Sequence, residues 1–239
     1  MRWPETFAER AEAREYLDGG AIPPATLRAN LREQACMNRW LGGNAAVSCA
    51  ALPYLRACRA QPLRVLEIGC GGADLSRGIV RALLAQRQPV IAVGLDIRRD
   101  VLTCARDQWR RAYPELALVC ADALSPPFPP ASFDVVIIPT LLHHLSPDEA
   151  VAVLRVGRRL SHGLVIVTDL VRSPWAYLGF SLVARALRFS PVGRHDGALS
   201  IRRAYTPCEL AALAEEAGLT DGTIYRAPWF RMALVYHGG

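Results

Sequence analysis

The sequence predicts an α/β fold in which seven strands, mostly parallel, carry helices on both faces. Three observations predict it. From Pro62 onward, short apolar runs alternate with helical stretches, the pattern of a parallel sheet with crossover helices. The runs are almost continuously apolar rather than alternating, as strands covered on both faces must be. The first run also ends in glycines that open a helix, and such folds bind ligands at the C-terminal edge of the sheet.

The elements follow in order. Thr6 to Leu17 has a helical pattern, with Thr6 able to cap and Glu9 three residues on. Asp18-Gly19-Gly20 ends it. A second helix is expected from Thr26 to Leu41, and a third from Asn44 to Ala60, broken or kinked near Pro53. Strands are expected at 63–68, 90–95, 116–120, 133–138 and 164–168, with helices at 73–86, 98–112 and 147–160 between them. Pro174 to Leu187 reads as an extra helix, Pro191 to Arg203 as a polar loop, and Pro207 to Ala217 as a helix closed by Gly218. Gly222–Arg226 and Phe230–His237 supply the last two strands. The organisation expected is an N-terminal helical lid (1–61) and an α/β domain (62–239). Residues 171–205 would form a helical cap inserted after the fifth strand.

Composition narrows the function classes. The 239 residues are 51% hydrophobic and 21% charged, an ordinary globular balance. All 28 basic residues are arginine, so mechanisms that need a Schiff-base or phosphate-loop lysine are excluded. The net charge of +6 is spread along the chain in short pairs such as Arg98-Arg99 and Arg202-Arg203. That reads as a solvated basic surface, and no nucleic-acid partner is expected. Seven cysteines without a C-x-x-C pair suggest neither a zinc site nor a disulfide framework. The Glu- and Arg-rich start is unlike a signal peptide, and the run Trp175–Ala184 is too short to span a bilayer. A cytoplasmic monomer or homodimer is the expectation.

The glycine loop, Gly69-Cys70-Gly71-Gly72-Ala73-Asp74, departs from the dinucleotide fingerprint by placing Asp74 where a third glycine belongs. Glu67 adds a second acid just before it. Two carboxylates oppose a pyrophosphate and suit a ligand with an ammonium and a sulfonium. Asp96 ends the second strand about 25 residues on, near the spacing at which an acid accepts two ribose hydroxyls. Asp122, after the third strand, is placed to accept from an adenine amino group.

These segments, with Phe133-Asp134-Val135-Val136 and Leu142-His143-His144-Leu145, resemble the Rossmann-like class I methyltransferase family. Within that family the chain resembles the small-molecule group, which includes ubiquinone- and menaquinone-pathway enzymes. The likeness runs from about 62 to 170, with a weaker match over Arg203–Gly218. It implies S-adenosyl-L-methionine as cofactor. Glu67, Gly69, Cys70, Gly71 and Asp74 would surround its methionine part, and Asp96 its ribose. Ile97, Asp122 and Ala123 would meet the adenine, with Pro139 and Thr140 below the sulfonium.

Methyl transfer depends mainly on alignment, and an oxygen or carbon nucleophile also benefits from a base. The candidates are His143 or His144, after the fourth strand, and His195, beside Asp196 in the cap. No Pro-Pro-aromatic motif follows the fourth strand, which argues against a base amine of nucleic acid. Only Asp169 offers a carboxylate near the ends of the fourth and fifth strands, so no catalytic metal is expected. Trp175, Tyr177, Leu178, Phe180, Leu182 and Val183 in the cap point to a small hydrophobic acceptor, phenolic, quinone or polyketide-like. Met37-Asn38-Arg39-Trp40 would form the other wall. O-methylation is favoured over C-methylation. RNA or protein methylation, or a non-catalytic cofactor-binding scaffold, are the alternatives.

Overall fold

The computed structural model describes residues 7–19, 22–40, 42–58, 61–109 and 112–238. Its centre is one seven-stranded sheet, built from β1 (Leu63–Ile68), β2 (Val90–Asp96), β3 (Leu116–Cys120), β4 (Phe133–Pro139), β5 (Ser161–Leu170), β6 (Thr223–Ala227) and β7 (Arg231–His237). The strand order is β3-β2-β1-β4-β5-β7-β6. Strands β1 to β5 run parallel, while β7 is antiparallel to both β5 and β6. The order reverses between β1 and β4, which opens a crevice at the C-terminal ends of those strands.

Eight helices accompany the sheet among the described residues: α1 (Pro24–Trp40), α2 (Gly43–Ala57), α3 (Asp74–Ala85), α4 (Arg99–Trp109), α5 (Pro147–Leu160), α6 (Pro174–Ala186), α7 (Pro191–Arg203) and α8 (Pro207–Glu216). Side chains alternate between the two faces along each strand. Leu66, Ile68, Val136 and Ile138 enter the core beneath α5 and α8. Val65, Val135 and Ile137 enter the core beneath α2 and α3. This two-sided burial is why the strands read as unbroken apolar runs.

Three expected elements differ. No helix forms between Arg10 and Glu15; the segment is irregular and ends in a short 3-10 turn at Tyr16–Asp18. Thr6 lies outside the described residues. The local helical pattern is overridden by contacts with distant segments, beginning with the Ala11 amide on the Arg202 carbonyl at 3.1 Å. Conversely, the expected loop at 191–203 is helix α7. Ser190 caps it by accepting from the Gly193 amide, and Pro191 occupies the first turn, where its missing N–H costs nothing. Gly193 and Gly197 lower its intrinsic propensity. Gly197 is needed, because a Cβ there would meet the Phe180 ring of α6 at 2.3 Å. Helix α2 also runs through Pro53 without interruption and ends at Ala57; residues 59 and 60 are outside the described residues.

Candidate active site

At the end of β1 the chain turns through Gly69 (φ +77°) and Gly71 (φ +50°), the left-handed region that a side chain strains. The Gly69 and Cys70 amides donate to the Leu95 carbonyl at 2.7 and 2.9 Å, tying the loop to β2. The Gly71 amide donates to Asp96 Oδ2 at 2.9 Å, and the Arg98 amide to Asp96 Oδ1 at 2.9 Å. Each oxygen of Asp96 keeps a further lone pair for a ligand.

Glu67 is buried beneath this loop. The Ser76 amide donates to its Oε2 at 2.8 Å, and the Ser76 hydroxyl bonds the same oxygen. Burial, reinforced by the charges of Asp74 and Asp96, outweighs those bonds and pushes its carboxyl up to about 8. Burial likewise raises Asp74, although Arg77 stands 3.5 Å from it and opposes the shift. The Cys70 thiol is held well up, first by burial. A buried acid whose charged neighbours are other acids is completed by a cation. A Cβ built on Gly71 would meet nothing within 4 Å, so the loop leaves room beside it. The residues therefore fit a ligand with a cationic amino-acid end.

A cavity of about 500 Å³ runs from this loop to the turn after β4. Glu67, Gly69, Cys70, Gly71, Asp74, Asp96, Ile97, Pro139 and Thr140 all line it, as do His143 and His144. Asp122 and Ala123 do not. Asp122 is exposed and its Oδ1 accepts from the Leu124 amide at 2.9 Å, while Ala123 packs toward the core. Of the six apolar cap residues, Phe180 and Val183 reach the cavity. Trp175, Tyr177, Leu178 and Leu182 face solvent, because the inward stripe of α6 is Ala176, Gly179, Phe180 and Val183. From α1, Met37 and Asn38 line the wall and Trp40 is exposed.

The far end is built around the two histidines. Asp169, fully buried near the end of β5, grips His143 twice: its Oδ2 accepts from the His143 amide at 3.0 Å and its Oδ1 meets ring Nδ1 at 2.7 Å. Burial alone would raise Asp169, but the His143 ring, with the Leu170 and His143 amides, holds its carboxyl below the ordinary range. A carboxylate on Nδ1 fixes the tautomer and leaves the Nε2 lone pair for chemistry. His144 Nδ1 stands 3.1 Å from Asp18 Oδ1. Burial opposes protonation of His144, yet Asp18 and Glu15 together raise its pKa. Glu15 is itself buried, and accepts from the Ser200 hydroxyl at 2.7 Å.

Arginines hold this turn in place. Arg203 donates to the His143 carbonyl at 3.1 Å, to the His144 carbonyl at 2.8 Å and to Asp18 at 2.8 Å. Arg10 donates to the carbonyls of His143 and Leu145 at 3.2 and 3.0 Å and to the Tyr205 hydroxyl at 2.6 Å. Arg172 clasps Glu209, the residue that completes the Thr206 capping box of α8. The Arg203-x-Tyr205-Thr206-x-x-Glu209 pattern thus braces the histidine turn.

His195 does not join the site. It is 67% exposed on α7 and lines a separate surface depression. Its neighbour Asp196 is the buried one, accepting from the Tyr16 and Leu17 amides at 2.9 and 3.1 Å. Once 191–203 is a helix, adjacent residues point about 100° apart, so only one of the two can face inward. Glu15, Asp18, Arg10 and Arg203 have no site signal in the sequence apart from the Arg203–Leu210 pattern. Their partners in the site lie from 59 to 195 residues away along the chain.

Comparison with known proteins agrees with this architecture. Residues 65–163 match the family model described as a methyltransferase domain. The chain is 32% identical over 172 residues to the ubiquinone biosynthesis O-methyltransferase of Neisseria meningitidis serogroup A, covering 68% of this chain and 67% of that one. It is 33% identical over 162 residues to the protein of the same name from Pseudomonas aeruginosa, covering 65% and 64%. The chain thus spans about two thirds of the length of these relatives. Among solved structures, a SAM-dependent methyltransferase from Aquifex aeolicus superposes with a TM-score of 0.62 at 11% identity, covering 91% and 99% of the two chains. Magnesium protoporphyrin IX methyltransferase from Synechocystis superposes at 0.56 and 15% identity, covering 92% and 90%.

An open α/β sheet with an acid-flanked glycine loop at its switch point defines a nucleotide-type binding enzyme, and these likenesses specify which. The chain belongs to the class I S-adenosylmethionine-dependent methyltransferases. Its cofactor is S-adenosylmethionine. Among the described residues, no helix is long and apolar enough to cross a membrane.

Proposed function

We propose that the enzyme methylates a hydroxyl of a small hydrophobic acceptor, phenolic, quinone-like or polyketide-like, at the histidine end of the cavity. The observation that carries this reading is the continuity of one cavity, with carboxylates and glycines at one end and a histidine turn at the other. Leu27, Leu31, Met37, Phe180, Val183 and Ile201 give the space between them apolar walls. The name of the O-methyltransferase relatives supports oxygen as the acceptor atom.

S-adenosylmethionine, when bound, supplies an electrophilic methyl group that needs no further activation. Glu67 receives its ammonium in ionised form, Gly69, Cys70, Gly71 and Asp74 shape the pocket around that end, and Asp96 accepts from the ribose hydroxyls. Ile97 offers an exposed apolar surface to the adenine, and Pro139 and Thr140 floor the transfer position. At the acceptor end, the cluster of Glu15, His143 and His144 activates the hydroxyl. His143 Nε2 faces the cavity with its lone pair because Asp169 holds Nδ1. Residues 7–19 and α1 act as a lid and 171–205 as a cap over the acceptor, while α2 packs on the sheet.

The test is formation of S-adenosylhomocysteine by the purified chain with a panel of phenols, hydroxyquinones and carbon acids. Turnover confined to hydroxylated apolar compounds supports the reading. Turnover only on carbon acids, or only on RNA or protein added as controls, overturns it.

A further inference from the structure

The acceptor end holds more ligating atoms than removal of one proton needs. Glu15, His143 and His144 each offer one ligand atom, and these atoms lie within 4.8 Å of one another. Nε2 of His143 stands 3.9 Å from Glu15 Oε1, and Nε2 of His144 stands 4.0 Å from Glu15 Oε2. Those gaps are too wide for hydrogen bonds. An ion about 2.0–2.2 Å from each nitrogen or oxygen holds tetrahedral ligands about 3.3–3.6 Å apart, so these side chains need to close by about half an ångström to share one.

The atoms behind these donors are also arranged as the support of a ligand set. His143 Nδ1 is held by Asp169 at 2.7 Å and His144 Nδ1 by Asp18 at 3.1 Å, while Ser200 bonds Glu15 at 2.7 Å. Histidines that bind metal almost always give their other N–H to a carboxylate, carbonyl or water, which fixes the tautomer and strengthens the ligating nitrogen. Here both do so, and both remaining nitrogens turn toward one buried carboxylate.

We propose that Glu15, His143 and His144 bind a divalent transition-metal ion at the acceptor end of the cavity. The proposal rests on the reading of that end as the acceptor site and names how the hydroxyl is activated there. Two imidazoles and one carboxylate suit zinc, cobalt(II) or iron(II), whereas calcium and magnesium prefer all-oxygen sets. Three protein ligands leave coordination positions open toward the cavity, and the acceptor oxygen takes one of them. The ion acidifies the hydroxyl as it acidifies water. The proton leaves to water, the oxygen's electron pair forms the new bond to the methyl carbon, and the sulfur takes the pair of the bond that breaks. The sequence expectation of no metal rested on the lack of a C-x-x-C pair and on Asp169 as the one carboxylate near the ends of the fourth and fifth strands; Glu15 arrives from the N-terminal segment.

The test uses the full chain, stripped with a chelator, exchanged into metal-free buffer and titrated with zinc chloride or cobalt chloride. One zinc per chain by calorimetry, and the visible bands of four- or five-coordinate cobalt, are the expected results. Glu15→Gln and His144→Ala each weaken zinc binding by at least about tenfold, and His195→Ala leaves it unchanged. Binding of S-adenosylhomocysteine is measured on the same samples. Retained S-adenosylhomocysteine binding without zinc uptake overturns the metal site and leaves the methyltransferase assignment standing. Zinc binding indifferent to both substitutions overturns it as well. Zinc uptake at these residues without turnover of any hydroxylated acceptor upholds the site and overturns the acceptor reading. Should a variant fail to fold by circular dichroism, the wild-type cobalt spectrum decides, since the pale spectrum of the hydrated ion alone counts against the site.

Discussion

At the loop end of the cavity, residues 67 to 98 supply nearly every group that meets: two strand ends, one turn and the first turn of α3. Their contacts are backbone amides on Leu95 and Asp96, set by two glycines in a left-handed conformation. At the histidine end, the groups come from residues 10–18, 143–145, 169–172 and 196–209. Their contacts are arginine and carboxylate side chains reaching across the fold. The first end is fixed by local geometry, and the second exists only once the whole chain has packed. Substitutions should therefore separate cofactor binding from acceptor activation.

The largest effect is expected at the loop. Gly71→Val puts a side chain at φ +50° and fills the space beside the loop. The strain costs about 1–2 kcal/mol of stability. Affinity for S-adenosylhomocysteine should fall about 100-fold or more, close to 3 kcal/mol. Calorimetry within fivefold of wild type would break the assignment of this end.

Next is Arg203→Ala, which strips the carbonyls of His143 and His144 and the Asp18 carboxylate of a buried donor. Unpaired buried groups predict a loss of about 2–4 kcal/mol in denaturant unfolding. Turnover should fall at least tenfold while S-adenosylhomocysteine affinity stays within about threefold. If both fall together, the two ends are not separable.

A third prediction uses the raised carboxyl of Glu67. Between an unfolded value near 4.5 and its folded value of about 8, the free protein holds a proton that the unfolded chain has released. Its contribution to stability therefore declines as pH rises through that window. A cationic ligand needs the ionised form, so affinity for S-adenosylhomocysteine should rise with pH toward 8, by up to about tenfold per unit. Glu67→Gln should weaken binding and flatten the slope; an unchanged slope would remove Glu67 from the site.

The smallest effect is expected of His195→Ala. An exposed ring on the outer side of α7 should change stability by no more than about 0.5 kcal/mol and leave turnover unaltered. A large loss of turnover would return His195 to the acceptor site.

The sequence by itself determined the sheet, because strands buried on two faces must be continuously apolar and crossover helices must be amphipathic. It also determined the loop end, since Glu67, the glycines, Asp74 and Asp96 act through neighbours in the chain or on an adjacent parallel strand. Tertiary structure decided the rest. The 10–15 segment traded its helical pattern for contacts with α7, Tyr205 and the histidine turn. Helix α7 formed through a Ser-Pro cap and a glycine that admits Phe180, which turned Asp196 inward and His195 out. Glu15 met His143 and His144 only there, because side chains more than a hundred residues apart in the chain leave no periodicity or spacing to read.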